Sequence, residues 1–317
     1  MSEICALIHI DRLRVENANA VSGPLSWGFP SPTAFTGFSH ALERRLTGVR
    51  LGGVGIICHR FDPQVDFPAG PWRPGRFRLA RHPYIAGWKK FKNEAAAIVE
   101  EGRAHLEVSL LIAVLDELDP EAQAELARQV QRHLPTMRLA GGAIRSQRRV
   151  QVREWPEDAE GQRKEFRKLR YRLLPGFTLV QRDGLLADLR RENPEADALD
   201  AWLDALALHV APVADPETGA VHWRTESKPG WLVPLPLGYA TLASHEPGEV
   251  ANARDPETPF RFVESLYTLG QWLGPHRLDR LEQMLWYPEA DIAAGLYLCR
   301  NDYERLTPKE ESDEQEE

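Results

Sequence analysis

The chain has 317 residues, of which 43% are hydrophobic and 27% are charged, and its formal net charge at pH 7 is −8. This length and apolar content exclude a wholly disordered chain and suit one large domain or two ordinary ones. The longest strongly apolar run, VSLLIAVL from Val108, is far shorter than the roughly 20 residues that a membrane span requires. We therefore expect no membrane partner.

The three cysteines, Cys5, Cys58 and Cys299, are widely spaced and include no CxxC pair. This spacing argues against a disulfide framework or a zinc site. The N-terminus, with Glu3 and Asp11, does not have the character of a signal peptide. We expect a cytoplasmic protein with no metal and no small-molecule cofactor.

The negative net charge argues at first sight against a nucleic-acid partner, because such proteins usually offset phosphate charge with Lys and Arg. The distribution of charge changes that conclusion. The last nine residues, KEESDEQEE, hold six acids against one lysine and predict a disordered acidic tail over residues 307–317. Residues 73–92 hold seven basic residues and no acid, and residues 138–172 hold eleven basic residues against five acids. Two basic segments favour a local RNA groove over general affinity for nucleic acid.

The first 147 residues predict four strands and two helices. The strands are expected at ICALIHI from Ile4, at GVGIICHRF from Gly53, in the alternating segment from Arg103 and at TMRLAGGAI. Ser31 caps a helix with an apolar stripe of Phe35, Phe38, Leu42 and Leu46, and Asp119 and Pro120 start a helix that ends near Leu134. The order βαββαβ is that of a ferredoxin-like or RRM-like α+β domain.

A long segment over residues 62–97, rich in Pro, Gly, Arg and Lys, separates the second and third predicted strands. Long insertions in compact domains are usually functional or disordered. Arg76 and Arg78 are two residues apart in a possible strand and would then point to the same side. Seven cations without a counter-ion repel one another unless an anion binds, so we favour RNA contact for this segment.

Residues 148–306 predict a second, more helical α+β part. A basic helix is expected over residues 161–172 with Phe166, Leu169 and Leu173 inward, followed by a strand at LLPGFTLV. Two further helices are expected, one started by Asn193 and Pro194 and one through residues 262–273. Their core stripes are Leu199, Trp202, Leu203 and Leu206 in the first helix, and Phe262, Leu266, Leu269 and Leu273 in the second.

An unusual loop follows the first strand, since residues 17–45 carry no charge before Glu43. Polar groups and flat apolar faces in one loop suit single-stranded nucleic acid. A well-packed connection with the aromatics as core plugs is the structural alternative. Arg44 and Arg45, at the end of the next helix, either contact phosphates or only meet the negative end of the helix dipole. The candidate loop residues are Asn17, Asn19, Ser22, Trp27 and Phe29.

Signals of enzyme activity are weak, because the chain has no HExxH, no GxxxxGK[ST] and no GxSxG motif. His40 and His59 are the histidines near the expected groove, where they could act in ribonuclease chemistry. A lone histidine in a helix or strand is more often packed and hydrogen-bonded than catalytic. We therefore expect no catalytic residue.

The uncharged loop closely resembles the second Csy proteins of type I-F CRISPR surveillance complexes, which are RAMP-superfamily subunits. Further blocks share the resemblance, which runs from about residue 10 to about residue 286: GVGIICHRF, AAIVEEGRAHLEVSLL, MRLAGGAI, LLPGF, KPGWLVPLP, GEVANARD and RFVESLYTLGQWLGPHR. The resemblance implies a RAMP fold with a thumb-like hairpin at residues 62–97. It also implies a glycine-rich loop that approaches the RNA, reduced here to Gly141 and Gly142.

The resemblance implies a non-catalytic subunit that holds the 5′ handle of the guide RNA (crRNA). Such a subunit pairs with the large subunit and closes one end of the row of backbone subunits. RNA contacts are expected from the loop residues above and from His40, Arg44, Arg45, His59, Arg60, Arg76, Arg78, Arg81, Gly141 and Gly142. The apolar segment around Trp231 and Tyr239 is the candidate partner surface.

Contact with target DNA stays open at this point, and so do two rival functions. The first rival is a guide-precursor endoribonuclease that uses His40 or His59. The second is a structural adaptor that touches protein only, for which charge reversal at Arg76, Arg78 and Arg81 would leave RNA retention unchanged.

Overall fold

The computed structural model describes residues 3–67, 75–83, 98–216, 218–226, 228 and 230–307. Within them the chain is an α+β protein in which strands outnumber helices. The strands are β1 (Ala6–Asn19), β2 (Leu51–Pro63), β3 (Val65–Asp66), β4 (Arg76–Phe77), β5 (Leu79–Pro83), β6 (Ile98–Val114), β7 (Arg138–Leu139), β8 (Gly142–Ser146), β9 (Arg149–Glu154), β10 (Phe177–Gln181), β11 (Val210–Ala214), β12 (Val221–Thr225), β13 (Trp231–His245), β14 (Phe260–Leu273), β15 (Leu285–Asp291) and β16 (Leu296–Asn301). The α-helices are α1 (Pro32–Glu43), α2 (Pro120–His133), α3 (Ala159–Arg172), α4 (Asp183–Glu192), α5 (Ala198–Leu206) and α6 (Tyr303–Leu306).

The predicted caps start the first two helices. The Ser31 hydroxyl accepts from the Thr33 amide at 3.2 Å, and Asp119 accepts from the Ala122 amide at 2.8 Å. Both helices have proline at the first position, where no intrahelical donor is lost. The predicted stripe Phe35, Phe38, Leu42 and Leu46 is buried. The two helices predicted in the first 147 residues are therefore confirmed.

One sheet of 12 strands runs through both halves of the chain, in the order β10-β14-β13-β16-β15-β2-β6-β1-β8-β7, with β5 beside β6 and β9 beside β1. Every pairing along this path is antiparallel. The outer edge of β2 pairs with β15 and with the start of β10. The sheet thus crosses the domain boundary that the sequence predicts at residue 147.

The central strands separate two hydrophobic layers. Side chains at alternate positions face opposite sides of a sheet, so Ile8 and Ile56 pack with α1 and α2, whereas Leu7 and Ile57 pack against α3. Phe166 and Leu169 of α3 are buried in the second layer, as the sequence predicts. The basic helix α3 and the first helix α1 therefore lie on opposite faces of the sheet.

The prediction of a more helical second half is wrong. The segment predicted as a helix through residues 262–273 is strand β14, which pairs with β13 along most of its length. Strands β10 to β16 hold more of residues 177–301 than the helices do, and the helices there are short. In α5, Trp202 is buried, but Leu199 and Leu203 are each about half exposed, so the predicted core stripe is only partly formed.

The predicted thumb is partly described. Strand β3 pairs with β4, and β5 pairs with the first residues of β6. Residues 68–74 and 84–97, which include Arg73, Lys89, Lys90 and Lys92, lie outside the described residues, as do residues 308–317 of the predicted acidic tail. No helix among the described residues is long and apolar enough to cross a membrane.

Candidate nucleic-acid interface

An aromatic cleft of about 500 Å³ opens where five distant segments of the chain meet. It is lined by the loop before α1, the second half of β2, the start of β10, the start of β13 and the end of β14. This volume is in the range of about 300–1,000 Å³ that small-ligand pockets occupy. The aromatic rings that line it are Trp27, Phe29, Phe61, Phe177, Trp231 and Trp272.

Two of these rings hold the loop before α1 in place. The Phe29 ring lies 5.5 Å from the Phe35 ring and meets the buried Trp272 edge-on at 5.0 Å. The Trp27 ring stacks on Phe77 of β4 at 4.2 Å. The indole nitrogen of Trp27 also lies against Gly102, where a Cβ would not fit. Trp27 and Phe29 are therefore fixed by packing, as the structural alternative for this loop expected.

Two other rings offer surface to a ligand. Trp231 is 58% exposed and Phe177 is 46% exposed, and their rings meet edge-on at 5.4 Å. A ring held by a neighbour and open to solvent is a platform on which a planar group stacks. Sequence reasoning placed Trp231 on a partner surface and missed Phe177, Phe61 and Trp272, although Phe177 lies in the LLPGF block.

His59 lies at the polar edge of the cleft, with both ring nitrogens committed. Nδ1 is 2.7 Å from the Pro175 carbonyl oxygen, and Nε2 is 2.7 Å from the Ser109 hydroxyl. Burial lowers the pKa of His59, so the ring is neutral at pH 7. Its contacts position the turn after α3. His40 lies on an exposed turn of α1 outside the cleft lining.

The polar loop residues are used mainly within the chain, and two of them belong to β1. Asn17, at a bulge with φ 57°, is exposed and its side-chain oxygen accepts from Gln64 at 2.9 Å. The Asn19 amide closes a turn with Val21, donating to its carbonyl at 2.7 Å. Ser22 accepts from the Ser31 amide at 3.0 Å. The prediction that residues 17–19 form a loop is therefore wrong.

The candidate arginines differ in how free they are. Arg60 is exposed at the rim of the cleft and pairs with Asp62 at 2.7 Å. Arg78 pairs with Asp66 at 3.2 Å. The expectation that the basic segment has no counter-ion is therefore wrong. Arg76 is exposed on β4. Arg81 lies in β5, but its side chain lies outside the described ones.

Arg44 and Arg45 follow the last turn of α1 and are exposed. Arg45 donates to the Thr136 hydroxyl at 3.0 Å, on the segment that follows α2. The two arginines are not among the residues that line the cleft.

Gly141 forms the tight turn between β7 and β8 together with Ala140, and Gly142 begins β8. Gly141 has φ 74°, a conformation that favours glycine, and nothing lies within 4 Å of where its Cβ would be. At Gly142 a Cβ would lie 2.6 Å from Val15 Cγ1 and 2.8 Å from the Ala18 amide nitrogen. Close approach to β1 is a sufficient structural reason for Gly142.

Trp231 and Tyr239 do not form one patch. Both lie on β13, and Tyr239 follows Trp231 by eight positions, which corresponds to roughly 26 Å of strand. Tyr239 is 39% exposed just past the middle of β13, and Leu242, Phe262 and Val263 are exposed further along the β13–β14 pair. The candidate partner surface predicted around Trp231 and Tyr239 is therefore not one continuous surface.

Two comparisons with known proteins agree. The family model described as CRISPR-associated protein (Cas_Csy2) matches residues 8–299. The CRISPR-associated protein Csy2 of Pseudomonas aeruginosa (strain UCBPP-PA14) is 48% identical over 315 residues, which cover 92% of this chain and 94% of that protein. The matched range includes every segment that lines the aromatic cleft.

Proposed function

The chain belongs to the Csy2 family of CRISPR-associated proteins, and on that premise we propose that it holds the 5′ handle of the guide RNA in a type I-F surveillance complex. The aromatic cleft is the observation that carries this proposal. Handle nucleotides are single-stranded, and proteins bind such nucleotides by stacking their bases on aromatic rings beside positive charge.

In this mechanism a splayed handle base stacks on the exposed ring of Trp231, against which Phe177 packs edge-on. The guanidinium of Arg60 at the rim meets the adjoining phosphate, and its pairing with Asp62 is exposed and weak enough to exchange. Trp27 and Phe29 hold the loop before α1 in place through their contacts with Phe77 and Trp272. No proton transfer is required, so the subunit acts by binding alone.

The thumb is coupled to this cleft. Phe77 of β4 stacks on Trp27, which lines the cleft, and the neighbouring Arg76 is exposed. Arg76, Arg78 and Arg81 then neutralise handle phosphates from the thumb side, and ion pairs such as Arg78 with Asp66 exchange when RNA binds. RNA binding is thus expected to depend on both the aromatic cleft and the thumb.

We also infer that residues 1–147 form the ferredoxin-like RAMP unit of this family and residues 148–306 an α+β extension of its sheet. The strand order β2-β6-β1-β8, with α1 and α2 on one face, supports this arrangement. The extension supplies Phe177, Trp231 and Trp272 to the cleft. The handle site is therefore built jointly by the two parts.

The test is to purify the assembled complex and quantify the guide RNA that it retains. Trp231→Ala should lower retention, whereas Trp231→Phe should preserve most of it, because the phenyl ring still offers a stacking face. Stacking contributes about 1–3 kcal/mol per base, so we expect roughly 5- to 100-fold weaker binding for the alanine variant. Arg76→Glu with Arg78→Glu should add to the loss.

The matched control reverses two charges on another surface. Arg190→Glu with Arg191→Glu, on the exposed end of α4, makes the same change in charge at residues that do not line the cleft and should retain the guide. Unchanged guide content in both Trp231→Ala and the thumb variant would favour the protein-only adaptor.

The endoribonuclease alternative is tested with repeat RNA. The double hydrogen bonding of His59 and the isolated position of His40 predict that the wild-type protein leaves repeat RNA uncut. Cleavage that is abolished by His40→Ala or His59→Ala would refute the binding-only mechanism.

A further inference from the structure

A second basic surface lies on α3, away from the aromatic cleft. Arginines line a cleft of about 300 Å³ between this helix and the short turn that follows Leu278. Asp279 is the one carboxylate among the residues that line it. The arginines are Arg163, Arg167, Arg170 and Arg280.

The four arginines outnumber the described carboxylates that line their pockets, which are Asp279 in this cleft and Glu282 in the neighbouring pocket that Arg163 and Arg280 also line. Arg163, Arg167 and Arg280 are exposed and form no ion pair among the described residues, and the nearby Glu165 is engaged by Lys168 at 3.1 Å. Positions 163 and 167, and 167 and 170, are helical neighbours, where like charges oppose helix stability. A helix that keeps this arrangement is suited to an anionic ligand.

Part of the cluster is fixed in advance. Arg170 donates through Nη1 to the Leu278 carbonyl at 2.6 Å, and its buried Nε has no hydrogen-bond partner among the described residues. Phe166 and Leu169 anchor the same helix in the hydrophobic layer. The guanidinium groups are therefore presented from a rigid element, which reduces the entropy lost on binding.

We propose that the arginines of α3 and Arg280 bind the phosphodiester backbone of a nucleic-acid duplex. Planar guanidinium groups match phosphate oxygens through paired hydrogen bonds. From Arg163 to Arg170 the helix advances about 10 Å, which corresponds to about three nucleotides along one strand of a duplex. The surface thus fits several consecutive phosphates.

The composition of the surface separates a duplex from other anionic partners. Protein interfaces combine arginine with an apolar and aromatic core. Among the described residues, Phe166 is the only apolar one that lines this cleft, and it is buried. Single-strand sites add aromatic rings for base stacking. Here no exposed aromatic ring is among the described lining residues, and the exposed ring of Tyr171 lies under the guanidinium of Arg170 at 5.5 Å. The cleft therefore recognises its ligand through phosphate groups.

The test uses the assembled complex and a short mixed-sequence duplex DNA, labelled with a fluorophore and unrelated to the guide. Arg163→Gln, Arg167→Gln and Arg280→Gln together remove three cations. Because each lost phosphate contact lowers the slope of log affinity against log salt by about 0.9, we expect the slope to fall by roughly 2 to 3. Affinity at low salt should fall at least about tenfold, and guide RNA content should stay unchanged.

The control removes three exposed arginines elsewhere, with Arg190→Gln, Arg191→Gln and Arg224→Gln, and should keep wild-type duplex affinity. Duplex affinity of the α3 variant equal to that of this control would overturn the proposal. So would a loss confined to single-stranded DNA, or the release of a protein subunit with duplex binding intact. Guide content reports separately on the handle site, so the two proposals fail independently.

Discussion

Gly142 shows how one missing side chain fits the β7–β8 turn against β1. A methyl group at this position would meet the Val15 side chain and backbone atoms of Glu16 and Ala18 at 2.6–2.8 Å. Backbone atoms cannot move aside as the end of a flexible side chain can. The glycine is thus required by the fold, whether or not RNA approaches it.

Gly142→Ala should destabilise the protein by about 1–3 kcal/mol, because the added methyl group overpacks this contact. Chemical denaturation measures the change. Gly141→Asn is the matched control, since asparagine tolerates a positive φ and the position is open. Near-normal stability of Gly142→Ala would contradict the close approach, and loss of guide by Gly141→Asn would restore a direct RNA role to this turn.

His9 is a buried histidine whose protonation is unfavourable in the folded chain. Burial lowers its pKa from 6.5 to about 4, and its Nε2 has no hydrogen-bond partner among the described residues. The unfolded chain binds the proton more readily than the folded chain between these two values. Stability contributed by neutral His9 is therefore complete above pH 6.5 and is lost as pH falls toward 4.

His9→Leu should remove this part of the acid sensitivity. We expect the wild type to lose up to about 3 kcal/mol more than the variant between pH 7 and pH 4, since one pKa unit is worth 1.36 kcal/mol. At pH 7 the variant should be at least as stable, because it buries no unsatisfied nitrogen. Urea unfolding at several pH values measures both, and parallel pH profiles would contradict this role for His9.

At the scale of elements, β13 and β14 form a long ribbon that serves two surfaces. One end contributes Trp231 and Trp272 to the cleft. The exposed side chain of Tyr239 lies near the middle of the ribbon, and those of Leu242 and Phe262 lie toward the other end. Exposed apolar groups in a cluster often mark protein interfaces. We therefore place the proposed contact with the large subunit at this second end.

Leu242→Ser with Phe262→Ser should release the large subunit from a tagged complex, because each removes apolar area that an interface would bury. Hot-spot truncations cost at least about 2 kcal/mol, so the combined effect should exceed tenfold in affinity. Trp223→Ser, which removes an exposed ring from the β11–β12 hairpin, is the control. Equal retention of the large subunit in both variants would move the interface elsewhere.

The β14 segment explains why sequence reasoning failed for one element and succeeded for others. Its Phe262, Leu266, Leu269 and Leu273 recur at helical spacing, yet residues 268–273 are buried on both faces of a sheet. A strand buried on both faces has no alternation, so its pattern can imitate a helix. The helices α1 and α2 carry caps as well as periodicity, and both were predicted correctly.

For the molecule as a whole, the 12-stranded sheet makes the two halves interdependent. Without residues 148–306, β2 would lose its pairing with β15 and β10. The hydrophobic layer on the α1 side would lose Trp286, and the layer on the α3 side would lose Phe166. The cleft shows the same dependence, because its walls come from five segments. Their meeting depends on long-range strand order, which periodicity and local motifs do not encode.

A fragment of residues 1–147 should therefore fail to reach a native state. We expect it to be insoluble or to lack near-ultraviolet circular dichroism and a cooperative unfolding transition, as a loosely packed chain does. The full chain under the same conditions is the control. A soluble fragment with one cooperative transition would show that the N-terminal unit folds alone.

The pairing of β2 also determines how late in synthesis this part of the sheet can form. β2 ends at Pro63, and its neighbour β15 begins at Leu285, about 220 residues later. At about 5–20 residues per second, a ribosome needs roughly 10 to 45 s to produce that partner. The part of β2 that pairs with β15 meanwhile remains an open sheet edge, of the kind that chaperones shield. Trp231 and Trp272 are also made late, so any ligand of the cleft is captured by the finished chain rather than by the nascent one.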